Sequence, residues 1–152
     1  MRKEKKKMKT GYNRYTGKPT NPKNFYIDPK ELSDEIRKSK TRHQCTDKLA
    51  VMAQKVLKNV LMWPKFRYQT QDVKDEIGSY SMYRWLKTGM YSCNPDGNCF
   101  SYLTQSIYSN CLCRLMQLKK KEANRLEYEK KILESIDRWA DNSISREEEN
   151  EE

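Results

Sequence analysis

The chain has 152 residues and a mass of 18.2 kDa, room for one ordinary domain with tails but not for two. Apolar residues make up 36% and charged residues 34%, with a mean hydropathy of −1.11, so the core is modest and the surface heavily charged. No apolar run approaches the roughly 18 residues of a membrane span, and no apolar stretch follows Met1-Arg-Lys-Glu-Lys-Lys-Lys7, so neither secretion nor membrane insertion is expected.

Thirty-one Lys and Arg against 21 Asp and Glu give a net charge of +10, the balance of a protein that meets a polyanion, most often nucleic acid. The charge is uneven. Residues 1–24 hold Arg2, Lys3, Lys5, Lys6, Lys7, Lys9, Arg14, Lys18 and Lys23 against Glu4 alone, and read as a basic flexible tail suited to phosphate. Residues 141–152 end in Glu147-Glu-Glu-Asn-Glu-Glu152 and read as an acidic flexible tail, either solubilising or interactive. Five cysteines (Cys45, Cys93, Cys99, Cys111, Cys113) are an odd number, which fits reduced thiols better than a disulfide framework. A single histidine, His43, leaves little for imidazole-based catalysis or metal binding.

In chain order, Asp28-Pro29 predicts a helix start, with Asp28 as N-cap, Pro29 at the first helical position and Glu31 closing a capping box. Leu32 and Ile36 share a face of it. Thr46-Asp47 opens a second helix whose apolar residues Leu49, Met52, Ala53, Val56, Leu57, Val60 and Leu61 recur at steps of three and one. Trp63-Pro64 ends it. A third helix is predicted from Thr70 or Gln71 to about Lys87, with Val73, Ile77 and Tyr80 inward. Asn94-Pro-Asp-Gly-Asn98 reads as a turn. From Cys99 a fourth helix is expected to bury Phe100, Leu103, Ile107, Cys111 and Leu118, and to continue into Leu126, Leu133, Ile136 and Trp139, unbroken or as a separate helix. Periods of three and four dominate, so the fold class is all-α: a small helical bundle over 25–125, a C-terminal helix over 126–140, and charged tails at both ends.

Gly-rich phosphate loops and the common hydrolase and metalloprotease motifs are missing, so no enzyme and no cofactor are expected. The cysteine spacing does not match common zinc knuckles, and residues two apart on a helix, such as Cys111 and Cys113, face different ways, so no metal is expected either. What remains is an arrangement. Asp72, Asp75 and Glu76 cluster at the start of the third helix, either complementing its N-terminal dipole or offering a docking surface to a basic partner. On the fourth helix Tyr102, Gln105, Ser106 and Ser109 lie opposite the apolar stripe and lead to Arg114, Lys119, Lys120, Lys121 and Arg125. This is either a solvated polar face or one that stacks on unpaired bases and holds their backbone.

From Asn24 to about Arg125 the chain resembles the late-transcription sigma factors of T-even-type phages, minimal relatives of the sigma-70 family. The likeness rests on Phe25-Tyr-Ile-Asp-Pro-Lys-Glu-Leu32 with Glu35-Ile-Arg-Lys-Ser39, on Thr46-Asp-Lys-Leu49 before the apolar helix (region 2.1), on Tyr68 to Ile77 (region 2.2), and on Phe100-Ser-Tyr-Leu-Thr-Gln-Ser-Ile107 with Lys119-Lys-Lys-Glu122 (regions 2.3 and 2.4). The resemblance implies that Asp72, Asp75 and Glu76, with Ser79 and Tyr83, dock on the β′ clamp helices of core RNA polymerase. It implies that Phe100, Tyr102, Gln105, Ser106 and Ser109 hold the nontemplate strand of a −10-like, A-T-rich promoter element, with Arg114, Lys119 to Lys121 and Arg125 on phosphates. The positions of the tryptophan wedge of primary sigma factors hold Gln105 and Ser106, as in the phage branch, which also lacks that wedge. The implied setting is the cytoplasm of an infected bacterium. Promoter choice would rest on the −10-like site, helped by a co-activator. Phage late factors end in a hydrophobic-acidic peptide that binds the sliding clamp; here the end has no apolar anchor and the Ile132–Trp139 stripe reads as packing, so no sliding-clamp contact is expected.

Overall fold

The computed structural model describes residues 27–148, and its regular elements are all helical. α1 spans Pro29–Arg42, α2 Asp47–Leu61 and α3 Gln71–Arg84. A π-helical turn, Trp85–Gly89, carries α3 into the short α4, Met90–Ser92. A turn then leads to α5, Cys99–Glu148, an unbroken helix of 50 residues. None of the described helices is long and apolar enough to cross a membrane. The basic segment 1–24 lies outside the described residues. The expected boundary at 125/126 falls inside α5, which also runs eight residues into the segment read as an acidic tail.

The starts follow local chemistry. Lys30 N donates to the Asp28 carboxylate (2.9 Å), and Leu49 N donates to Thr46 Oγ1 (3.2 Å). Asn98 caps α5 by accepting from Ser101 N at 3.0 Å. Glu31 departs from its expected capping-box role: its carboxylate forms an ion pair with Lys48 and ties α1 to α2. His43 ends α1 in the left-handed region (φ 52°), its N–H donating to Lys40 O, so the lone histidine is a helix C-cap.

The core gathers Leu32 and Ile36 of α1, Leu49, Met52, Ala53, Val56 and Val60 of α2, Ile77 of α3, and Leu103, Ile107, Cys111 and Leu115 of α5. Leu57, Leu61, Val73, Phe100 and Leu118 pack at its edge, half-buried; Tyr80, expected inward, is half-buried with the Arg114 guanidinium near its ring. Phe66, in the loop after Pro64, is fully buried although no periodicity marks it. The loop folds back through hydrogen bonds from Phe66 N and Arg67 N to Trp63 O, seating the Phe66 ring against Tyr108. A polar knot joins α1 to α2: Glu35, buried, accepts from Lys38 Nζ (2.8 Å) and Thr46 Oγ1 (2.7 Å), while Ser39 Oγ accepts from Thr46 N.

α3 and α5 run antiparallel. Ser81 Oγ donates to Ile107 O at 3.1 Å, the Cys111 thiol reaches Ile77 O, and the Tyr102 ring tilts against Trp85. Two glycines sit in tight packing: a methyl on Gly78 would lie 3.3 Å from Leu57 of α2, and one on Gly89 would lie 2.6 Å from the Trp85 ring of its own turn and 3.1 Å from Ser106 Oγ of α5.

Gly89→Ala should therefore destabilise the domain. The helix-propensity gain of about 0.5–1 kcal/mol is outweighed by overpacking of about 1–3 kcal/mol against a fully buried indole, and urea unfolding measures the net loss. Hydrogen bonds from Lys38 and then Thr46 hold the Glu35 carboxyl below its ordinary value of 4.5, against an opposing effect of burial. The unfolded chain takes up this proton at higher pH than the native one, so the stabilisation is present near neutrality and is lost as the pH falls through the lowered value. Glu35→Gln should flatten the acid limb of a stability–pH profile below about pH 5.

Candidate nucleic-acid and partner-binding surfaces

Asp72, Asp75, Glu76, Ser79 and Tyr83 are all exposed, and on a helix turning 100° per residue they fall on one arc opposite Ile77. The arc borders two grooves. Asp75 and Ser79, with Gly78 and Met82, line one of about 530 Å³ against Leu57, Lys58 and Leu61 of α2. Asp72 and Glu76, with Val73, line another of about 370 Å³ against Leu115, Leu118 and Lys119 of α5. Asp75 accepts from Gln71 Nε2 (2.7 Å), and Tyr83 is covered on one side by Lys87, whose Nζ donates to its hydroxyl (3.1 Å). The α2 wall and Lys87 are not marked by the acid-cluster pattern, because they reach the arc only through packing of α2 on α3.

On α5, Tyr102, Gln105 and Ser109 lie along one exposed line opposite Ile107, extended by Met116 and Lys120. Tyr102 keeps 37% of its surface in solvent and leans on Trp85 at 6.1 Å between ring centroids. Ser106, half-buried, faces Gly89. Phe100 does not join this line; its position places it on the side of Ile107, where it packs against the core.

Arg114 is likewise drawn elsewhere. Its guanidinium forms an ion pair with Glu76, lies 5.4 Å from the centre of the Tyr80 ring and donates to Gln117 Oε1. The pair takes one residue from each of the two surfaces that the sequence sets apart, and locks the start of α3 to α5. Arg125 is held by Glu122 (2.7 Å) and Glu129 (3.8 Å), which raise its pKa, Glu122 the more strongly. Lys119, Lys120 and Lys121 are exposed, and Lys119 borders the acidic groove. The acidic arc thus adjoins Arg114, whereas Tyr102 sits at the far end of the α3–α5 pair, roughly 18 Å along α5.

Three of the thiols, Cys45, Cys93 and Cys111, are poor nucleophiles. Burial, followed by the neighbouring Cys99, pushes Cys93 up to about 12; burial pushes Cys111 up to about 11, and burial with Asp47 raises Cys45. Among the described residues no three His, Cys, Asp or Glu side chains are grouped to hold a metal ion, and Cys111 is buried while Cys113 is exposed.

No family model, no curated protein and no solved structure matches this chain.

The Glu76–Arg114 pair, with side chains 46% and 22% exposed, should couple weakly. A double-mutant cycle with Glu76→Gln and Arg114→Met is expected to give about 0.5–1 kcal/mol at low salt, falling as ionic strength rises.

Proposed function

We propose that this protein is a promoter-specificity factor of the phage late sigma kind, bridging core RNA polymerase and an opened promoter. The acidic arc of α3 docks on the basic β′ clamp helices through Asp72, Asp75, Ser79 and Tyr83. The Tyr102 line of α5 receives the displaced nontemplate strand of an A-T-rich −10-like element, with Gln105 and Ser109 on base edges and Lys120 on phosphate. The observation that carries this reading is that the acids at the start of α3 lie beside Arg114, at the opposite end of the α3–α5 pair from Tyr102, which leaves room for protein and nucleic acid at once.

The magnitudes assign most of the work to the polymerase. Separating one base step costs about 1.4 kcal/mol, and stacking on one ring returns about 1–3 kcal/mol. One partly covered tyrosine therefore captures about one base; it biases the open state without creating it. The factor performs no covalent chemistry. Its site of action is the cytoplasm of an infected bacterium, and a phage co-activator is the natural complement to a single short promoter contact. A stand-alone single-strand or RNA-binding role is the second reading. The net charge of +10 favours it, since a polyanion is bound by such a surface without a second partner.

Capture on core polymerase followed by run-off transcription from A-T-rich −10-like templates separates the two. Asp72→Lys with Asp75→Lys should lower polymerase capture at least about tenfold, a change of roughly 1.4 kcal/mol. Tyr102→Ala should spare capture and weaken promoter opening by about 1–3 kcal/mol, read by reactivity of unpaired thymines. Tight binding of oligonucleotides by the protein alone, unchanged by the double α3 substitution and without polymerase capture, would establish the second reading instead.

A further inference from the structure

Between Asp47 and Asp72 the chain has no carboxylate and five cations, Lys48, Lys55, Lys58, Lys65 and Arg67, all of them exposed. Three stand on α2. At 100° per residue Lys48, Lys55 and Lys58, with Val51 and Met62, fall within an arc of about 80°, opposite the buried Ala53 and Val60. Lys65 and Arg67 follow in the loop past Pro64. That loop is fixed to the domain by the buried Phe66 and by the hydrogen bonds from Phe66 N and Arg67 N to Trp63 O. Lys74 of α3 adds a further tie, donating from Nζ to Arg67 O at 2.9 Å. Helix and loop together present a basic face from a set backbone.

Ion pairing sorts these cations. Lys48 is held by Glu31. Lys55, Lys58 and Lys65 enter no ion pair among the described residues. Asp75 lines the α2–α3 groove with Lys58 but accepts from Gln71. The Arg67 guanidinium lies over the Tyr68 ring, 4.5 Å from its centre, and Tyr68 keeps 79% of its surface in solvent.

A row of one sign without counter-charge fits a partner whose own charge repeats without changing sign, as a phosphate backbone does; a folded protein presents both signs. Val51 and Met62, the exposed apolar residues of the arc, stand about 16 Å apart along the axis and form no continuous patch, which disfavours an apolar partner or a bilayer. The exposed Tyr68 ring beside the cations suits a base better than either.

We propose that the outer face of α2 and the loop after it form a contact for nucleic acid separate from the Tyr102 line, in which Lys55, Lys58, Lys65 and Arg67 hold the phosphate backbone whatever its sequence. The contact stands apart from the promoter reading, since it needs neither polymerase nor α5. A few phosphate contacts place it among sequence-independent interactions, with a Kd of about 10⁻⁴–10⁻⁶ M at physiological salt, short of the tight binding that a stand-alone factor requires.

The test is fluorescence anisotropy of a labelled duplex of about 20 base pairs, and of one of its strands, with the full chain alone between about 50 and 200 mM salt. Lys55→Gln, Lys58→Gln and Lys65→Gln together should weaken binding at least about tenfold at the low-salt end. They should also flatten the slope of log K against log salt by about 2–3, because each phosphate contact contributes about 0.9 on a duplex and about 0.7 on a single strand. Lys130→Gln, Lys131→Gln and Arg138→Gln, on the exposed arm of α5 beyond Leu118, remove the same charge and should leave the slope unchanged. Segment 1–24 is common to all variants and cancels from the comparison. Tyr68→Ala separates the two ligand forms: a loss on the single strand alone assigns the face to unpaired strands, and a loss on neither assigns it to the duplex backbone. A parental slope in the α2 and loop variant overturns the proposal. An equal loss in the α5 control does so too, since net charge and not this face would then be felt. Undiminished nucleic-acid binding with lost binding of polyglutamate would mark the face as a site for an acidic protein and overturn it as well.

Discussion

The antiparallel contact of α3 with α5 is the constraint on which the rest of the domain depends. It is made where side chains are smallest or most polar: Gly89, just past α3, facing Ser106 Oγ, Ser81 donating to the Ile107 carbonyl, and Cys111 against Ile77 O. Small groups let the two backbones come close, and the Ser81 hydroxyl and the Cys111 thiol each reach a backbone carbonyl on the facing helix. The π-helical turn belongs to the same contact. It carries the chain past the fully buried Trp85 and sets Gly89 against the indole, and Tyr102 on α5 leans on that same ring.

Both candidate surfaces inherit their geometry from this contact. The acids of α3 are exposed because Ile77 and Ser81 turn inward on the other side of the helix. Tyr102, Gln105 and Ser109 are exposed because Leu103, Ile107 and Cys111 turn inward on α5. The seam also brings Glu76 onto Arg114. An exposed carboxylate and a guanidinium that sequence assigns to separate partners neutralise each other within one chain. In the proposed reading, that pairing leaves Asp72, Asp75, Ser79 and Tyr83 for docking and Lys119 to Lys121 for phosphate.

The domain and the arm obey different rules although one helix builds both. Up to Leu118 the apolar side of α5 is covered by α2 and α3. Beyond it the residues to Asp141 are exposed, and the helix carries i,i+4 ion pairs such as Lys131–Glu127 and Arg125–Glu129. Such pairs contribute only about 0.2–0.5 kcal/mol each, far less than burial of a single leucine.

The sequence by itself determined the all-α class, the starts of α1 and α2 at Asp28-Pro29 and Thr46-Asp47, the end of α2 before Pro64, the turn at Asn94–Asn98, and the inward positions Leu32, Ile36, Leu49, Val56, Ile77, Leu103, Ile107 and Cys111. These are local matters: a cap, a missing N–H or a period of 3.6 acts within a few residues. The tertiary structure alone decided that Phe66 fills the core from a loop, that Glu31 pairs with Lys48 and that Arg114 meets Glu76. It also decided that the stripe from Leu126 to Trp139 faces water. The physical reason is common to all of them. Periodicity tells which side of a helix is apolar, but what covers that side is set by elements far away in sequence, and here the covering helices stop short of the arm.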